Sequence, residues 1–348
     1  MASATTVTTG YSHSCANRGG YAWCWGNNQT DQVFGQGYPS AATYFGHVGD
    51  LDAGHYHTCA VVNGGVQCWG GNSMGQLGLG FSSAHERKTQ VVPEGSNVTK
   101  VSAGYGYNCA IADGGLLCWG GYNAPIGPQV VFAPNSGVTQ VDVSLGHQCA
   151  VKNGGLYCWG GNESYQLGIG NTQAKSVPTL VIAEGLGVTK VAAGFNHTCV
   201  VKNGGRYCWG RNTGGVFGLG GAVSNSYTIL SPRELIPEGS GVSDVSAGAE
   251  HSCVIKNGGI KCWGNLDSLY STIGDVSLGG DSGRQLIPEN GGATSISGYN
   301  HHFCAVVQGR AQCLGSNKDY ALGQSYLPNG AFIWTSSDFI YPEYSTAR

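Results

Sequence analysis

The sequence predicts an all-β fold, a β-propeller of seven blades, and three observations lead to this prediction. The chain of 348 residues contains 14 cysteines, which fall into seven pairs with one spacing, C-x8-C. The first cysteines of successive pairs recur every 40 to 54 residues, which is the length of a propeller blade. Around each pair, short runs of β-forming residues alternate with glycine-rich turns. We therefore expect residues 1–348 to form a single repeat-built domain.

The clearest copy of the repeat is V-T-K-V-A-A-G-F-N-H-T-C-V-V-K-N-G-G-R-Y-C-W-G, from Val188 to Gly210. It contains three predicted strands, and Asn-Gly joins the second to the third. Asn-Gly tolerates the positive φ angles of a type I′ hairpin turn better than other dipeptides. Comparable turns are predicted at Asn63-Gly64, Asp113-Gly114, Asn153-Gly154, Asn203-Gly204, Asn257-Gly258, Gly19-Gly20 and Gln308-Gly309.

A two-residue turn also fixes which residues of the hairpin face each other. Counting outward from Asn203-Gly204, Cys199 faces Cys208 as a non-hydrogen-bonded pair. The Cα atoms of such a cross-strand pair lie roughly 4.5 Å apart, which is within disulfide reach. Zinc is the competing interpretation, although C-x8-C is longer than the spacing that zinc sites favour. The predicted bridges are Cys15–Cys24, Cys59–Cys68, Cys109–Cys118, Cys149–Cys158, Cys199–Cys208, Cys253–Cys262 and Cys304–Cys313.

Composition and cysteine usage limit where the chain works and what it binds. Seven disulfides require an oxidising compartment, so we expect a secreted, extracellular protein. The first residues, MASATTVTTG, lack the features of a signal peptide, which favours a processed mature form. A net charge of −3 provides no basic surface for nucleic acid. No run of 18 apolar residues exists, and membrane insertion is not expected.

Four recurring elements, G-x-x-H-[ST]-C, N-G-G, C-W-G and G-Q-L-G-x-G, resemble the regulator of chromosome condensation (RCC1) repeat. The last element occurs at Gly75–Gly80 and, more loosely, at Gln166–Gly170. The resemblance covers essentially the whole chain and implies four-stranded blades around a central channel. It does not define a function, because function depends on sites added to a fold. The cysteine pair in every hairpin departs from the intracellular exchange-factor members, and the G-x-x-H loops lack the tryptophans of the plant ultraviolet receptors.

Two residue types recur once per repeat. A ring of histidines could bind metal, but one structural hydrogen bond per blade is the favoured interpretation because buried polar groups need partners. The tryptophans that follow the second cysteine are expected to pack between blades. The histidines are His13, His57, His147, His197, His251 and His302, with Tyr107 in the third blade; the tryptophans are Trp25, Trp69, Trp119, Trp159, Trp209 and Trp263.

The sequence contains no recognisable catalytic motif. We see no G-x-S-x-G nucleophile elbow between a strand and a helix, no H-E-x-x-H and no phosphate-binding G-K-[ST] loop. Asp52, Asp142 and Asp244 lie in repeat strands and have no dedicated partner in the sequence pattern. We therefore expect neither an enzyme nor a protein that needs a cofactor or a metal.

The residues that vary between repeats lie between the glycine and the histidine of G-x-x-H. Equivalent loops of a propeller emerge on one face, which would gather several aromatic side chains into a ring. Aromatic residues at the centre of a patch are the usual anchors of protein interfaces; the alternative is that each ring packs on the neighbouring blade. The candidate partner-binding residues are Tyr11, His55, Tyr56, Tyr105, Phe195, Glu250 and Tyr299.

These observations predict an extracellular, non-enzymatic binding protein that captures a protein partner through this aromatic face. The loops differ from blade to blade, which favours one asymmetric protein partner. A lectin or adhesin with glycan sites between blades is the first alternative. A structural or assembly subunit, formed by self-association, is the second.

Overall fold

The computed structural model describes residues 4–33, 47–121, 127–219, 227–265, 283–316, 321–323 and 335–336. The described strands form seven antiparallel sheets, and each sheet is built from consecutive strands of the chain. These sheets are the seven blades of a propeller, which confirms the predicted fold. Within the described ranges, no helix is long and apolar enough to cross a membrane.

Each blade has its first strand beside the central channel, and in blades 2 to 7 the described fourth strand lies at the outer edge. The first strands are Ala4–Thr9, Val48–Ala53, Val98–Ala103, Val138–Val143, Val188–Ala193, Val242–Ala247 and Ala293–Gly298. The second strands are His13–Arg18, His57–Val62, Tyr107–Ala112, His147–Lys152, His197–Lys202, His251–Lys256 and His302–Val307. The third strands are Tyr21–Gly26, Gly65–Asn72, Gly115–Gly120, Gly155–Gly160, Gly205–Arg211, Gly259–Gly264 and Arg310–Gly315. The described fourth strands, of blades 2 to 7, are Ser83–Val92, Gln129–Phe132, Lys175–Ile182, Thr228–Ile236, Arg284–Ile287 and Thr335–Ser336.

The ring closes where blade 1 packs against blade 7. The Ala4 backbone N–H donates to the Gly309 carbonyl at 2.8 Å, and the Trp25 indole N–H donates to the Ala321 carbonyl at 2.9 Å. Every described strand pairs only within its own blade, so no strand exchange is seen among them. The C-terminal tail, residues 331–344 (AFIWTSSDFIYPEY), is rich in β-forming residues and is expected to supply outer strands. The outer strand Thr335–Ser336 comes from it; the rest of that tail, and the insertion that lengthens the sixth repeat at 268–281, lie outside the described residues.

The hairpins have the predicted geometry. In blade 5, φ is +48° at Asn203 and +72° at Gly204, as a type I′ turn requires. Cys199 faces Cys208 in the strand pairing and is bonded to it, with Cα atoms 4.1 Å apart. The same bridge is present in all seven blades, with Cα separations of 4.0 to 4.1 Å, and all cysteines are paired.

A β-bulge near the start of each first strand determines which of its side chains face the channel. In blade 3, Val98 faces Ala112 but Lys100 faces Ile111, so Thr99 is the extra residue. The bulge lets two valines three residues apart, Val98 and Val101, both be buried. Register shifts at the equivalent position occur in all seven blades.

The recurring histidine and tryptophan join neighbouring blades. His13 Nε2 lies 2.9 Å from the Thr58 hydroxyl, which donates to the Gln32 carbonyl at 2.9 Å. Because the hydroxyl has one hydrogen, the histidine must donate from Nε2. Trp69 donates to the same carbonyl at 2.9 Å. Equivalent series of hydrogen bonds join His57, Asn108 and Gln76; His147, Thr198 and Gln166; and His302, Ser14 and Ala321.

These contacts confirm the structural interpretation for His13, His57, His147 and His302, whereas His197 Nε2 and both ring nitrogens of His251 have no hydrogen-bond partner among the described residues. Burial holds the pKa values far below the usual range, at about 3 for His13, His197 and His251 and about 4 for His57, His147 and His302. All six rings are therefore neutral at physiological pH. The described residues contain no cluster of three or more side chains suited to a metal ion.

Candidate functional site: the central channel and its aromatic mouth

The seven first strands surround a channel of about 200 Å³. Alternate residues line it in two rings, one from the third position and one from the fifth position of each strand. The entrance ring is Thr6, Asp50, Lys100, Gln140, Lys190, Asp244 and Ser295, all half-buried. The deep ring, closer to the G-x-x-H turns, is Thr8, Asp52, Ser102, Asp142, Ala192, Ser246 and Ser297.

The channel carboxylates have partners, so the expectation that Asp52, Asp142 and Asp244 lack them was wrong. Asp52 accepts the Ala103 backbone N–H at 2.8 Å and the Thr8 hydroxyl, and Asp142 accepts the Ala193 N–H at 2.6 Å. Asp244 accepts the N–H of the residue that follows it and lies 3.9 Å from Lys190 Nζ. The partners of Asp52 and Asp142 belong to neighbouring blades, and a repeat alignment does not show which atoms of two blades meet.

The two rings differ in charge. The entrance ring contains two carboxylates and two ammonium groups, whereas the deep ring contains two carboxylates and no basic residue. Burial raises the pKa of Asp52 to about 6, against the opposing hydrogen bond from Thr8. Burial likewise raises the pKa of Asp142 to about 8. Because burial disfavours the charged form, the Asp142 carboxyl is largely protonated at neutral pH, and a bound cation would favour the carboxylate form of both groups.

At the G-x-x-H end, aromatic side chains from several blades meet. The ring centroids of Tyr11 and His55 lie 3.9 Å apart in a stacked pair. His55 also contacts Tyr56 at 4.3 Å and Tyr105 at 4.6 Å, both edge to face. Such geometries are the favoured ones for aromatic pairs. We call this cluster, together with Phe195 and Tyr299, the aromatic mouth.

Tyr299 closes the channel at this end. Gly298 faces Phe303 in blade 7 as Ala193 faces Thr198 in blade 5, so Tyr299 occupies the position that is Gly194 in blade 5. The tyrosine ring is 7% exposed and lies 5.5 Å from Phe195 and 6.2 Å from His55. Burial, followed by the charges of Asp52 and Asp142, raises the pKa of Tyr299, which places its hydroxyl near the deep ring.

The structure thus brings together six of the seven residues predicted for partner binding. The rings pack on one another, while Tyr56 remains 40% exposed. Glu250 occupies the equivalent turn of blade 6 and is half-buried. Sequence reasoning missed the exposed Leu145 in blade 4 and the inward position of Tyr299. The sequence feature that could have indicated the inward position of Tyr299 is the spacing of Gly298 and His302, which contains one residue more than G-x-x-H.

Comparisons with known proteins agree with this architecture. Two models of the regulator of chromosome condensation (RCC1) repeat match the chain, one at residues 153–201 and 203–255 and the other at 188–216. The matched segments lie in blades 4 to 6. The fold and these matches define a seven-bladed propeller of repeat type. Residues 153–201 and 203–255 of the chain match RCC1 repeats, and the propeller that contains them has one disulfide bridge per blade.

Solved structures share the fold at low sequence identity. Human WBSCR16 is 20% identical, with a TM-score of 0.73 over 87% of this chain and 86% of that one. Prp20p from Saccharomyces cerevisiae is 17% identical, with a TM-score of 0.69 over 84% and 80%. The ectodomain of the Arabidopsis thaliana receptor kinase ACR4 is 18% identical, with a TM-score of 0.54 over 92% and 99%. No curated protein sequence matches the chain.

Proposed function

We propose that this protein is an extracellular, non-enzymatic propeller, a single domain over residues 1–348, that captures a protein partner at the aromatic mouth. The observation behind the proposal is the aromatic cluster itself, in which Tyr56 is held at 40% exposure by its contact with the buried His55. A rigid aromatic anchor loses little conformational entropy on binding. Leu145, 42% exposed in the equivalent turn of blade 4, adds apolar surface on the same face.

The comparisons supply further support. Prp20p has binding properties toward Gsp1p and histones, and a complex of it with Kap60 is known, so propellers of this fold serve as protein-binding scaffolds. The ACR4 structure is a receptor ectodomain. The seven disulfides of this chain support an extracellular location, because disulfides persist under the oxidising conditions found outside the cell.

The chemistry of the mouth does not favour catalysis. Burial lowers the pKa of His55 to about 4, and the ring is stacked on Tyr11. Desolvation raises the pKa of Tyr56, so its phenol stays protonated at neutral pH. Neither group is ready to take or give a proton in this pH range.

A glycan-binding function has one observation of its own, on the hairpin face at the opposite end of the blades. In blade 4 the Glu184 carboxylate accepts from Asn153 at 3.0 Å and from the Tyr157 hydroxyl at 2.8 Å, and it pairs with Lys152. The same arrangement recurs around Glu238, and in part around Glu289. Repeated polar clusters of this kind suit a lectin with several equal sites.

A pair of tyrosine variants tests the protein-binding proposal. Tyr56 is 40% exposed at the mouth, and Tyr21 is 39% exposed at the far end of the blade 1 hairpin, so Tyr56→Ser and Tyr21→Ser remove equal aromatic surface from opposite faces. The measurement is cross-linked capture from native extracellular medium, quantified by mass spectrometry. We expect proteins captured by the wild type and by Tyr21→Ser to be depleted at least about tenfold with Tyr56→Ser, as for loss of an interface hot spot.

A glycan array with the same three proteins tests the alternative. Glycan binding at several sites per chain that survives Tyr56→Ser would replace the protein-partner proposal with the lectin. Equal capture by both tyrosine variants would remove the mouth as the binding surface.

A further inference from the structure

The deep end of the channel contains buried hydroxyls that have no hydrogen-bond partner among the described residues. The Tyr299 hydroxyl and the Ser246 hydroxyl have no hydrogen-bond partner, although these residues are only 7% and 4% exposed. Both line the channel, and the Thr6 hydroxyl of the entrance ring is also without a partner. Buried polar groups are normally satisfied, and those that are not call for an explanation.

The same end of the channel has carboxyl groups that suit a cation, because a bound cation favours their charged form. Asp52 and Asp142 belong to the deep ring, whose other five members are threonine, serine and alanine. The lysines of the channel, Lys100 and Lys190, lie in the entrance ring beside Asp50 and Asp244. Two residues along a strand separate the rings by roughly 7 Å. A ligand at the deep end therefore meets carboxylates and hydroxyls, with the nearest ammonium groups a ring away.

We propose that the blind end of the channel, between the deep ring and Tyr299, binds the ammonium group of a small organic amine. An ammonium group donates three hydrogen bonds, which the carboxylates of Asp52 and Asp142 and the unpartnered hydroxyls of Tyr299 and Ser246 can accept. The Ala192 methyl group, 4% exposed, offers an apolar surface to an attached alkyl chain. A volume of about 200 Å³ holds roughly six water molecules at about 30 Å³ each, so a short alkylamine fits.

An amine suits these groups better than an anion or a metal ion. An anion would face two carboxylates. A divalent metal needs several oxygen ligands directed at one point, whereas Asp52 and Asp142 are each held against the channel wall by backbone N–H donors from a neighbouring blade. No set of three metal-ligating side chains was found among the described residues.

This site is separate from partner capture. Tyr299 contributes its ring to the mouth and its hydroxyl to the channel, but the ammonium site opens through the entrance ring on the other side. The test therefore uses purified protein and no protein partner, and Tyr56→Ser should leave amine binding unchanged.

The experiment is titration calorimetry with three probes: n-propylammonium, the isosteric 1-propanol, and calcium chloride. We expect n-propylammonium to bind with one site per chain and the other two not to bind. Tyr299→Phe removes only the hydroxyl and should weaken amine binding by about 2- to 12-fold, the value of one hydrogen bond. Asp52→Asn with Asp142→Asn keeps an acceptor for each backbone N–H and should weaken binding at least about tenfold, since charge-assisted bonds are lost.

Asp113→Asn is the matched control. It removes the same charge at an exposed hairpin position where four other blades carry Asn, and it should bind n-propylammonium as the wild type does. Absence of amine binding, equal binding of 1-propanol, or full affinity in the Asp52→Asn, Asp142→Asn protein would each overturn the proposal. Calcium binding in place of amine binding would identify a metal site and overturn it as well. A purely structural Tyr299 predicts full affinity in Tyr299→Phe.

Discussion

The interface between blades 4 and 5 and the interface between blades 5 and 6 use the same positions but different hydrogen bonds. Between blades 4 and 5, His147 bonds to the Thr198 hydroxyl at 2.8 Å, and that hydroxyl donates to the Gln166 carbonyl at 2.7 Å. Between blades 5 and 6, Ser252 stands at the Thr198 position, yet His197 Nε2 has no hydrogen-bond partner. One residue that differs between the repeats accounts for the unpaired His197.

That residue is Arg206, which is fully buried in the third strand of blade 5. The guanidinium donates to the Ser252 hydroxyl at 2.6 Å and to the Val216 carbonyl at 2.8 Å, and it stacks on Trp263 at 4.2 Å. It thereby takes the hydroxyl that His197 would use. The corresponding residues in blades 2, 3, 4 and 6 are Val66, Leu116, Leu156 and Ile260, all fully buried. A single long side chain can therefore replace the repeated histidine contact without changing the backbone of the repeat.

Acidification should have the largest effect, because it acts on both kinds of interface at once. The folded-state pKa values of the six repeat histidines are about 3 to 4, below the usual value of 6.5. The unfolded chain therefore binds more protons, and stability falls as pH drops from about 6.5 toward 4. Each proton contributes about 1.4 kcal/mol per pH unit in the range where it is taken up.

Asp52 and Asp142 oppose this trend, since their raised pKa values make the folded state bind protons between about pH 4 and 8. Burial raises the pKa values of Asp50 and Asp244 as well. The six histidines still outnumber these four carboxyl groups, so we expect a net loss of stability on acidification. Denaturant titrations at several pH values would measure the slope. A protein equally stable at pH 7 and pH 4.5 would show that the histidines do not remain neutral in the folded state.

How much the sequence predicts depends on whether a feature repeats within one blade or arises between two. The hairpin turn at Asn203-Gly204 determines the pairing of Cys199 with Cys208, so all seven bridges could be derived by counting residues. The β-bulge was also visible in principle. The spacing of Val98 and Val101 is three, which does not fit the two-residue period of a strand unless one residue is extra.

The channel and the mouth were harder to predict because they join residues of different blades. The contact of Asp52 with the Ala103 N–H depends on how two first strands meet at the channel wall, which no pattern within one repeat encodes. Tyr299 was placed on the correct face but not in the channel. Its position depends on the register with Phe303, which an alignment that begins at the glycine misses by one residue.

Removing the hydroxyl on each side of blade 5 should distinguish the two interfaces. Thr198→Val should lower the free energy of unfolding by about 2–3 kcal/mol, because His147 Nε2 is left buried without an acceptor. Ser252→Ala should cost less, about 1–1.5 kcal/mol, since Arg206 loses its bond to the hydroxyl but keeps its bond to the Val216 carbonyl, and His197 loses nothing. Urea denaturation at pH 7 measures both values. Equal losses in the free energy of unfolding would mean that His197 already forms a hydrogen bond with Ser252.

Replacing Arg206 should have the smallest effect and the opposite sign. Burial lowers the pKa of Arg206 to about 9, so the side chain is still charged at neutral pH, and none of the described carboxylates forms an ion pair with it. Exchanging a buried charge for an apolar residue is often neutral or stabilising, by about 1–4 kcal/mol. We expect Arg206→Leu, which copies Leu156, to gain up to about 1 kcal/mol after the loss of stacking on Trp263.

A second variant shows whether the gain comes from restoring the repeated contact. If Arg206→Leu frees the Ser252 hydroxyl for His197, then Ser252→Ala should become as costly in the Arg206→Leu background as Thr198→Val is between blades 4 and 5. A cost that stays at about 1–1.5 kcal/mol in that background would show that His197 cannot reach Ser252. The difference between the two interfaces would then lie in the spacing of blades 5 and 6 and not in the arginine.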